Sequence, residues 1–484
     1  MHASIIVKIL GILLMLFSIL GNLPPILVSY IYRDGTASAF VTSLLISFAI
    51  GFILWLPTAR SKKELRTRDG FLVVTLFWTV LGTAGCLPFL LSSATDLSVT
   101  DAIFESLSGL TTTGATVISG LDALPKSMLF YRQQLQWLGG MGIIALAVAV
   151  LPMLGIGGMQ LYRAESPGPI KDNKLVPRLA ETAKALWYIY LALTLACAIA
   201  YWVAGMNLFD AISHSFTTIA IGGFSTHDQS MAYFNSPAID TVAIVFMVIA
   251  GVNFALHFTA WKNQSIKHYF QDPEFIFYSY ILCFVSLITV AFLYYTSTYT
   301  TIFDSAIKGV FQVVSIATTT GFVTADFSSW PLFLPYLLFY AAIVGACAGS
   351  TGGGMKVIRI LLIFKQGIRE VQRLIHPKAV IPIKLGRKPV PDRVIESVWG
   401  FFAAYVLAFL VMLLALLATG LDIVTAFSAV GACINNLGPG LENVAENYGQ
   451  LPAAAKWILC FAMLLGRLEI FTLLVLFTPM FWRK

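Results

Sequence analysis

Ten apolar runs, each long enough to cross a lipid bilayer, limit what this sequence can fold into. Crossing about 30 Å of hydrocarbon takes about 20 helical residues. Hydrophobic residues make up 58% of the chain and charged residues only 11%, which is more apolar than a soluble core requires. The sequence therefore predicts an all-α polytopic membrane protein with about ten transmembrane helices. The runs lie near residues 4–30, 38–58, 71–92, 132–155, 185–205, 238–260, 276–296, 333–364, 396–418 and 454–479.

Positive charge is unevenly distributed along the chain. Lys and Arg cluster at residues 60–66, 163–178 and 483–484, and residues 365–393 contain eight of them. Because basic loops remain on the cytoplasmic side of a membrane, the ten-span arrangement predicts that both termini are cytoplasmic. The basic residues are dispersed among membrane ends, which argues against binding to nucleic acid.

The cysteines give no sign of disulfides or a metal site. No CxxC pair occurs, and no histidine lies at metal-ligand spacing from a cysteine. All six lie in apolar or glycine-rich surroundings, which predicts small buried packing residues. They are Cys86, Cys197, Cys283, Cys347, Cys433 and Cys460.

Four of the gaps between runs contain related segments. Each has a half-length apolar stretch followed by a polar turn, and the four align on Gly114, Gly223, Gly321 and Gly438. Glycine recurs 28 residues further on in every copy. Agreement at two positions indicates an internal repeat. The second set comprises Gly142, Gly251, Gly349 and Gly466.

Each repeat has the pattern of a span, a short re-entrant pore helix, a filter loop and a second span. Non-helical backbone at membrane depth is tolerated only when it is buried in protein or lines a watery cavity. Four such loops therefore predict a pseudo-symmetric arrangement around one pore. The predicted divisions are 1–69 for two N-terminal transmembrane helices, 70–182, 183–270 and 271–394 for repeats 1 to 3, the third with a broken second span and a cytoplasmic loop, and 395–484 for repeat 4.

The residues that precede the aligned glycines vary widely, which favours a site built from backbone oxygens. Potassium filters use rings of backbone carbonyls, and glycine reaches the required backbone angles easily. The C-terminal ends of the short helices add partial negative charge. We therefore predict a selectivity filter for a large, weakly hydrated monovalent cation, formed by Thr112, Thr113, Gly114, Ile221, Gly222, Gly223, Thr319, Thr320, Gly321, Asn436, Leu437 and Gly438.

Residues 345–354, GACAGSTGGG, interrupt the eighth run with five glycines. Each glycine costs a helix about 1 kcal/mol relative to alanine, so a break is expected. The favoured interpretation is a mobile intramembrane loop that obstructs the pore. The alternative is a close-packed helix face of small residues.

Arg467 lies inside the tenth run, where a charge costs at least about 2.5 kcal/mol. The repeat places it one residue after the counterpart of Gly349, so we expect an electrostatic barrier just below the filter. The alternative is a structural ion pair with a partner such as Glu105. Lys356 is either a second gating charge or a snorkelling residue. The predicted gate comprises Gly345, Gly349, Gly352, Gly353, Gly354, Lys356 and Arg467.

Other polar residues in the spans and the short helices have structural explanations. His214 and His257 are expected to be hydrogen-bonded packing residues, with a proton relay as the alternative. Asp101 and Asp210 occupy matching positions at the starts of short helices, where capping explains them.

The four glycine loops, the broken eighth run and GRLEI at residues 466–470 resemble the Trk/Ktr/HKT superfamily of potassium transporters, over about residues 70–480. The two additional N-terminal spans and NNLGPGL are most similar to its bacterial Trk branch. The resemblance implies potassium uptake through one pore per subunit in the bacterial inner membrane. It also implies that Gly114 favours potassium, since serine there is associated with sodium. Pro439 and the Asn435–Asn436 pair depart from a symmetric filter.

The same resemblance implies a homodimer and a cytoplasmic ring of TrkA-type nucleotide-binding regulatory subunits. Potassium is then the substrate, no covalent cofactor is expected, and nucleotide is expected only on the partner. Residues 365–393 are the docking candidate, with a basic loop that binds no partner as the alternative.

Three other functions were weighed. A sodium or ammonium pathway on the same scaffold is the closest alternative. An intramembrane enzyme that uses His214 with Ser213 or Ser215 is disfavoured, because no HExxH, GxSxG or phosphate loop occurs. A scaffold subunit without transport is disfavoured by four costly polar loops.

Overall fold

The computed structural model describes residues 3–61, 67–149, 175–331, 333–386 and 388–483, which are mainly helical. Residues 62–66, Arg163, Lys171, Lys174 and Lys484, which belong to the predicted basic clusters, lie outside the described residues. The helices are α1 (Ala3–Tyr32), α2 (Ala37–Trp55), α3 (Thr67–Ala84), α4 (Leu87–Leu91), α5 (Val99–Leu110), α6 (Lys126–Ala149), α7 (Leu175–Val203), α8 (Leu208–Ala220), α9 (Pro237–Ala250), α10 (Phe254–Lys262), α11 (Lys267–Gln271), α12 (Pro273–Tyr295), α13 (Ile302–Ala317), α14 (Leu334–Val344), α15 (Val357–Ile375), α16 (Asp392–Leu417), α17 (Ile423–Ile434), α18 (Ala453–Arg467), α19 (Phe471–Leu474) and α20 (Pro479–Trp482). Strands β1 (Lys384–Leu385) and β2 (Lys388–Pro389) form an antiparallel pair.

All ten predicted apolar runs fall on helices where the structure describes them. Six are unbroken and apolar enough to cross a membrane: α1, α2, α3 with α4, α7, α12 and α16. The eighth run consists of α14 and α15, separated by residues 345–356, so the expected break is present. Within the fourth run, α6 extends to Ala149, the last residue described before 175.

Two further spans are bent, which the sequence analysis did not anticipate. α9 and α10 meet at 90°, and α18 meets the segment Phe471–Phe477 at 109°. Asn253 caps α10 by accepting a hydrogen bond from the Ala255 amide, 2.8 Å away. At the second bend, Glu469 and Ile470 have φ values of 53° and 48°. Hydropathy does not detect these breaks, because both halves of each span are apolar.

The four half-length segments are α5, α8, α13 and α17, as the repeat predicts. At each N-terminus a polar side chain accepts a hydrogen bond from the backbone amide three residues on, a cap worth about 1 kcal/mol. The pairs are Ser98 with Asp101, Asn207 with Asp210, Thr301 with Asp304, and Asp422 with Thr425.

The packing of the short helices follows the repeat. Each lies between the two spans of its own repeat: α5 between α3 and α6, α8 between α7 and α9, α13 between α12 and α14, and α17 between α16 and α18. Each also contacts the second span of the preceding repeat, since α6 contacts α8, α9 contacts α13, α14 contacts α17, and α18 returns to α5. The four repeats therefore form a closed ring.

The cysteines are free throughout the described chain. Five are buried as predicted. Cys283 is exposed on α12, so the packing prediction is wrong for that residue. Its position follows from the lipid-facing surface of an apolar span, which sequence alone does not distinguish from a packed surface.

Candidate ion-conduction site

The loops that follow the four short helices share one backbone conformation. The aligned glycines have φ values from 77° to 97°, and the residues two positions earlier have φ values from 52° to 67°. Those earlier residues are Thr112, Ile221, Thr319 and Asn436, which have little in common as side chains. A left-handed residue other than glycine is uncommon, so its recurrence at one position in all four loops reflects a common backbone requirement.

The four loops also close into a ring. A methyl group on Gly114 would collide with the carbonyl oxygen of Gly222 in the second loop. Each glycine therefore lies against the residue that precedes the glycine of the next loop, and the fourth loop returns to the first. The remaining collisions join Gly223 to Thr320, Gly321 to Leu437, and Gly438 to Thr113.

The fourth loop, which departs most from the symmetry of the ring, is hydrogen-bonded to the first loop by the side chain of Asn436. Asn436 donates from Nδ2 to Thr113 Oγ1 at 2.9 Å and to the Met463 carbonyl at 3.0 Å. Asn435 accepts from the Tyr405 hydroxyl at 3.0 Å. The asparagine pair thus fixes the fourth loop to the first loop and to the surrounding helices.

Gln136, on α6, contacts the second loop and was not identified from the sequence. Its Nε2 donates to the Gly222 carbonyl at 2.6 Å, and its Oε1 accepts from the Phe224 amide at 3.1 Å. The only sequence signal is a glutamine within an apolar run, which has many structural explanations. The Gly222 carbonyl oxygen, which belongs to the ring, therefore also accepts a hydrogen bond from the side chain of Gln136.

Residues 345–354 form a loop against the C-terminal ends of three short helices, and the close-packed helix face is therefore contradicted. Thr351 Oγ1 donates to the Ile219 carbonyl at 2.9 Å. The Gly353 amide donates to Thr319 Oγ1 at 2.7 Å, and the Gly354 amide to the Asn435 carbonyl at 3.1 Å. The segment is not helical because Gly345, Gly349 and Gly354 have φ values of 74°, 74° and 76°.

Two cations contact this loop. Arg467 Nη1 donates to the Thr351 carbonyl at 3.2 Å, and Lys356 Nζ donates to the Gly352 carbonyl. Arg467 is 8% exposed, and its Nε and Nη2 atoms have no hydrogen-bond partner in the described structure. The suggested pair with Glu105 is absent, because Glu105 binds Arg132 instead at 2.8 Å. Glu469 likewise pairs with Arg359, at 2.6 Å.

Glu274, at the start of α12, binds both the loop 345–354 and the first turn of α15. Its Oε1 accepts from the Ala348 amide at 2.7 Å and from the Ile358 amide at 3.2 Å. The role of Glu274 is not apparent from the sequence, because an acidic residue in the first turn of a helix is ordinarily explained by the helix dipole.

His214 on the short helix α8 and His257 on the sixth span are hydrogen-bonded packing residues, as expected. His214 Nδ1 lies 2.9 Å from the Asp210 carbonyl, and its Nε2 lies 3.0 Å from Ser225 Oγ. His257 lies between the Tyr269 hydroxyl and the Ile249 carbonyl, at 2.7 and 2.9 Å.

His227, in the loop after the second glycine, lies between two carboxylates. Its Nδ1 is 2.5 Å from Asp122 Oδ1, and its Nε2 is 3.2 Å from Asp210 Oδ2. Burial alone would lower the pKa of His227, but the hydrogen bonds and charges of the two carboxylates outweigh it and raise the pKa. At Asp122, burial alone would raise the pKa of the carboxyl, but the hydrogen bond and charge of His227 outweigh burial and lower the pKa.

We therefore expect stability to depend on pH through this cluster. The contribution of His227 is fully present below its unfolded pKa of about 6.5 and is lost as the pH rises through the raised folded pKa. The contribution of Asp122 is present above about 3.9 and is lost as the pH falls through its lowered pKa. Thermal unfolding of the detergent-solubilised protein at about pH 6 and about pH 9 measures the first effect.

The expected result is an unfolding temperature that is several degrees lower at the higher pH, with the difference much reduced in His227→Gln. His268→Gln is the matched control, because His268 is only partly buried and contacts Asn263 instead of the carboxylates of the cluster. An equal pH dependence in the wild type and in His227→Gln would contradict the assignment.

The arrangement suits a cation better than an anion. The C-terminal ends of α5, α8, α13 and α17 lead directly into the ring, so their partial negative charge is directed towards one place. None of the twelve predicted filter residues is acidic, and the buried carboxylate of Glu105, on the first short helix, is neutralised by Arg132. The favourable potential therefore comes from neutral carbonyl groups.

A helical membrane protein with four quasi-equivalent re-entrant loops around one axis belongs to the class of proteins that pass cations through a central pore. Residues 36–484 match the family model of TrkH, described as a cation transport protein. The chain belongs to this family.

Individual relatives agree over the full length. The Trk system potassium uptake protein TrkH of Halomonas elongata is 60% identical over 484 residues, which cover 100% of both chains. Its counterpart in Escherichia coli K12 is 57% identical, also over 100% of both. The crystal structure of the potassium transporter TrkH from Vibrio parahaemolyticus is similar to this chain with a TM-score of 0.93 and 56% identity, covering 100% of both chains.

Proposed function

We propose that this chain takes up potassium across the cytoplasmic membrane through the ring of four glycine loops. The observation that carries the proposal is the closed contact of each glycine with the backbone of the next loop. A ring of main-chain oxygens can replace the hydration shell of an alkali ion. Full-length relatives named as potassium uptake proteins support potassium as the substrate.

The proposed filter is made of the aligned glycine and the two residues before it in each loop. Their backbone is held by the short helices on one side and by the neighbouring loop on the other, so little reorganisation is needed when an ion enters. The residues are Thr112, Thr113, Gly114, Ile221, Gly222, Gly223, Thr319, Thr320, Gly321, Asn436, Leu437 and Gly438.

The proposed gate is the loop 345–354 with Lys356 and Arg467. It is supported by the position of the loop against the ends of α8, α13 and α17, on the side of the ring from which those helices enter. A potassium ion that leaves the filter on this side meets a glycine-rich segment and two cations. The flexibility of glycine gives the segment a means to move aside.

The proposed assembly is a homodimer with a cytoplasmic nucleotide-binding partner of the TrkA type, and the proposed orientation places both termini in the cytoplasm. Supporting features are the basic residues of 365–393 and the exposed apolar residues of α15. α15 is strongly amphipathic, so its apolar residues are expected to be buried. Phe364 and Val371 are nevertheless 61% and 60% exposed, which leaves apolar surface for a partner. The names of the relatives, which refer to a Trk system, are consistent with a multi-component assembly.

Radiotracer flux into vesicles that contain the purified protein tests the function directly. We expect potassium and rubidium to enter and to compete with each other, with sodium and lithium entering much more slowly. Vesicles containing the protein that admit sodium or ammonium in preference to potassium would overturn the proposal, as would vesicles that admit no monovalent cation under any condition, including in Arg467→Ala.

Substituting Gly114 with serine tests whether the backbone geometry of the first loop selects potassium over sodium. Gly114 has a φ of 82°, and its added Cβ would collide with the Gly222 carbonyl, so the first loop has to move. We expect the ratio of sodium flux to potassium flux to rise at least about tenfold, which corresponds to about 1.4 kcal/mol of lost discrimination. Gly120→Ser is the control, because Gly120 has a φ of 75° with no atom within 4 Å. An unchanged ratio in Gly114→Ser would contradict selection by this loop.

A further inference from the structure

Each of the four short helices has a polar side chain that forms a hydrogen bond with the loop residues that follow the aligned glycine. Nine positions before the aligned glycines lie Glu105, His214, Gln312 and Ala429. Gln312 Oε1 accepts from the Thr324 amide at 3.0 Å, and His214 Nε2 lies 3.0 Å from Ser225 Oγ. In the fourth repeat the neighbouring Ser428 replaces the alanine in this role, accepting from the Leu441 amide at 3.0 Å.

In the first repeat the tie is a buried ion pair with an arginine of a span. Glu105 is 0% exposed and accepts from the Val117 amide at 2.9 Å, which matches the bonds in the third and fourth repeats. It also binds Arg132 Nε at 2.8 Å, and Arg132 is 1% exposed. Asp210 on the second short helix also binds its own loop, through Thr226 Oγ1 at 2.7 Å and His227 Nε2 at 3.2 Å, but only in the first repeat of the described chain does the tie involve an arginine from a span.

Arg132 lies on α6 and contacts two loops at once. Its Nη2 donates to Thr116 Oγ1 in the first loop at 3.0 Å, and its Nη1 donates to the Ser225 carbonyl in the second loop at 3.0 Å. The guanidinium also lies over the ring of Phe224, 4.3 Å from its centroid. One planar cation therefore fixes both sides of the junction between the first and second loops.

We propose that Arg132, held by Glu105, is a positioning residue that sets the separation of the first and second filter loops and thereby the discrimination between potassium and sodium. Stability alone is a weak explanation, because buried ion pairs are often replaceable by apolar residues without loss of stability. Five donor hydrogens in a rigid plane suit a geometric role better than the single point charge of lysine does.

The inference rests on the proposed potassium pathway. Discrimination between ions of the same charge depends on the spacing and the stiffness of the ligand ring. The first and second loops meet where Gly114 contacts the Gly222 carbonyl, so a change in their separation changes the ring itself. Arg132 and Gln136 are one helical turn apart on α6 and hold the second loop at Ser225, Gly222 and Phe224.

The test compares the double variant Glu105→Gln/Arg132→Met with the wild type in vesicles. Glutamine can still accept from the Val117 amide, as Gln312 does in the third loop, and no charge remains unpaired. Thermal unfolding measures stability, and radiotracer flux measures the ratio of potassium to sodium uptake. The matched control is Asp240→Asn/Lys308→Met, which removes an ion pair of 3.4 Å between α9 and α13 that makes no bond to a filter loop in the described structure.

We expect the double variant to unfold within a few degrees of the wild type, while its ratio of potassium to sodium flux falls at least about tenfold, a factor in line with the loss of charge-assisted hydrogen bonds. The control variant should keep the wild-type ratio. A folded double variant with the wild-type ratio would overturn the inference, and so would an equal loss of ratio in the control.

Potassium transport and the positioning role of Arg132 are tested separately by these measurements. If wild-type vesicles pass no potassium, the proposed function fails. If they pass potassium selectively and the double variant does so equally well, only the proposed positioning role of Arg132 fails. Should the double variant not fold, Arg132→Lys provides the second measurement, because lysine keeps the charge opposite Glu105 but cannot bind Thr116 and Ser225 together, and the same fall in the ratio is expected. An unchanged ratio of potassium to sodium flux in folded Arg132→Lys would overturn the positioning role of Arg132.

Discussion

Replacing Gly223 with alanine is expected to reduce potassium uptake about a hundredfold, the scale on which a displacement of about 1 Å disrupts a positioned site. Gly223 has a φ of 77°, and a methyl group there would meet the Thr320 carbonyl oxygen. Two independent costs therefore arise: the left-handed backbone, worth about 1–2 kcal/mol for alanine, and the collision with the third loop. Radiotracer flux into vesicles, normalised to the amount of folded protein, measures the effect.

Gly420→Ala separates the two costs. Gly420 has a φ of 92° but no atom within 4 Å of the position of a Cβ, so alanine there meets the backbone cost alone. We expect this variant to lose some thermal stability and to retain most of the wild-type uptake. If Gly223→Ala folds and transports as well as Gly420→Ala, the contact between neighbouring loops has no functional importance.

Replacing Arg467 with alanine is expected to increase ion flux at least about tenfold, which corresponds to a barrier lowered by about 1.4 kcal/mol. Two unit charges about 4 Å apart interact by about 4 kcal/mol at an effective dielectric constant of about 20, so this is a modest share of the available repulsion. The variant should fold, because the Nε and Nη2 atoms of Arg467 have no partners to lose in the described structure.

Arg467→Lys is the control for charge. Lysine retains the positive charge near Thr351, so its flux should stay close to that of the wild type, whereas alanine removes both the charge and the bond to the Thr351 carbonyl. Equal increases for both variants would mean that the hydrogen bond, and not the charge, restrains the loop. Unchanged or lower flux in a folded Arg467→Ala would contradict a barrier at this position.

The repeat made the ring predictable from the sequence. Aligning the four glycines located the short helices and the glycines with positive φ, because a backbone requirement has the same signature in every copy, whereas the left-handed residues two positions earlier were not predicted. It also placed Arg467 near the glycine-rich loop, since the residue follows the counterpart of Gly349. The structure brings Arg467 to Thr351, two residues from Gly349 along the same loop.

Other parts of the site could not be predicted, because they depend on tertiary contacts. The bend in the sixth span is hydrogen-bonded to the glycine-rich loop 345–354. The Cys347 amide donates to the Gly251 carbonyl at 3.0 Å, and the Phe254 amide donates to the Gly349 carbonyl at 3.1 Å. An apolar run gives no indication of partners about a hundred residues away. Arg132 is a similar case, because the sequence shows a polar residue in a span but not which loops it joins.

The most direct test of the central claim is to locate the ion. Rubidium scatters anomalously and is expected to follow the same path as potassium, so crystals grown with rubidium should show a peak on the axis enclosed by the backbone of Thr113, Gly222, Thr320 and Leu437. Our account predicts that peak, and predicts that it weakens in Gly223→Ala. A strong rubidium peak elsewhere in the membrane region, with none inside the ring, would contradict it.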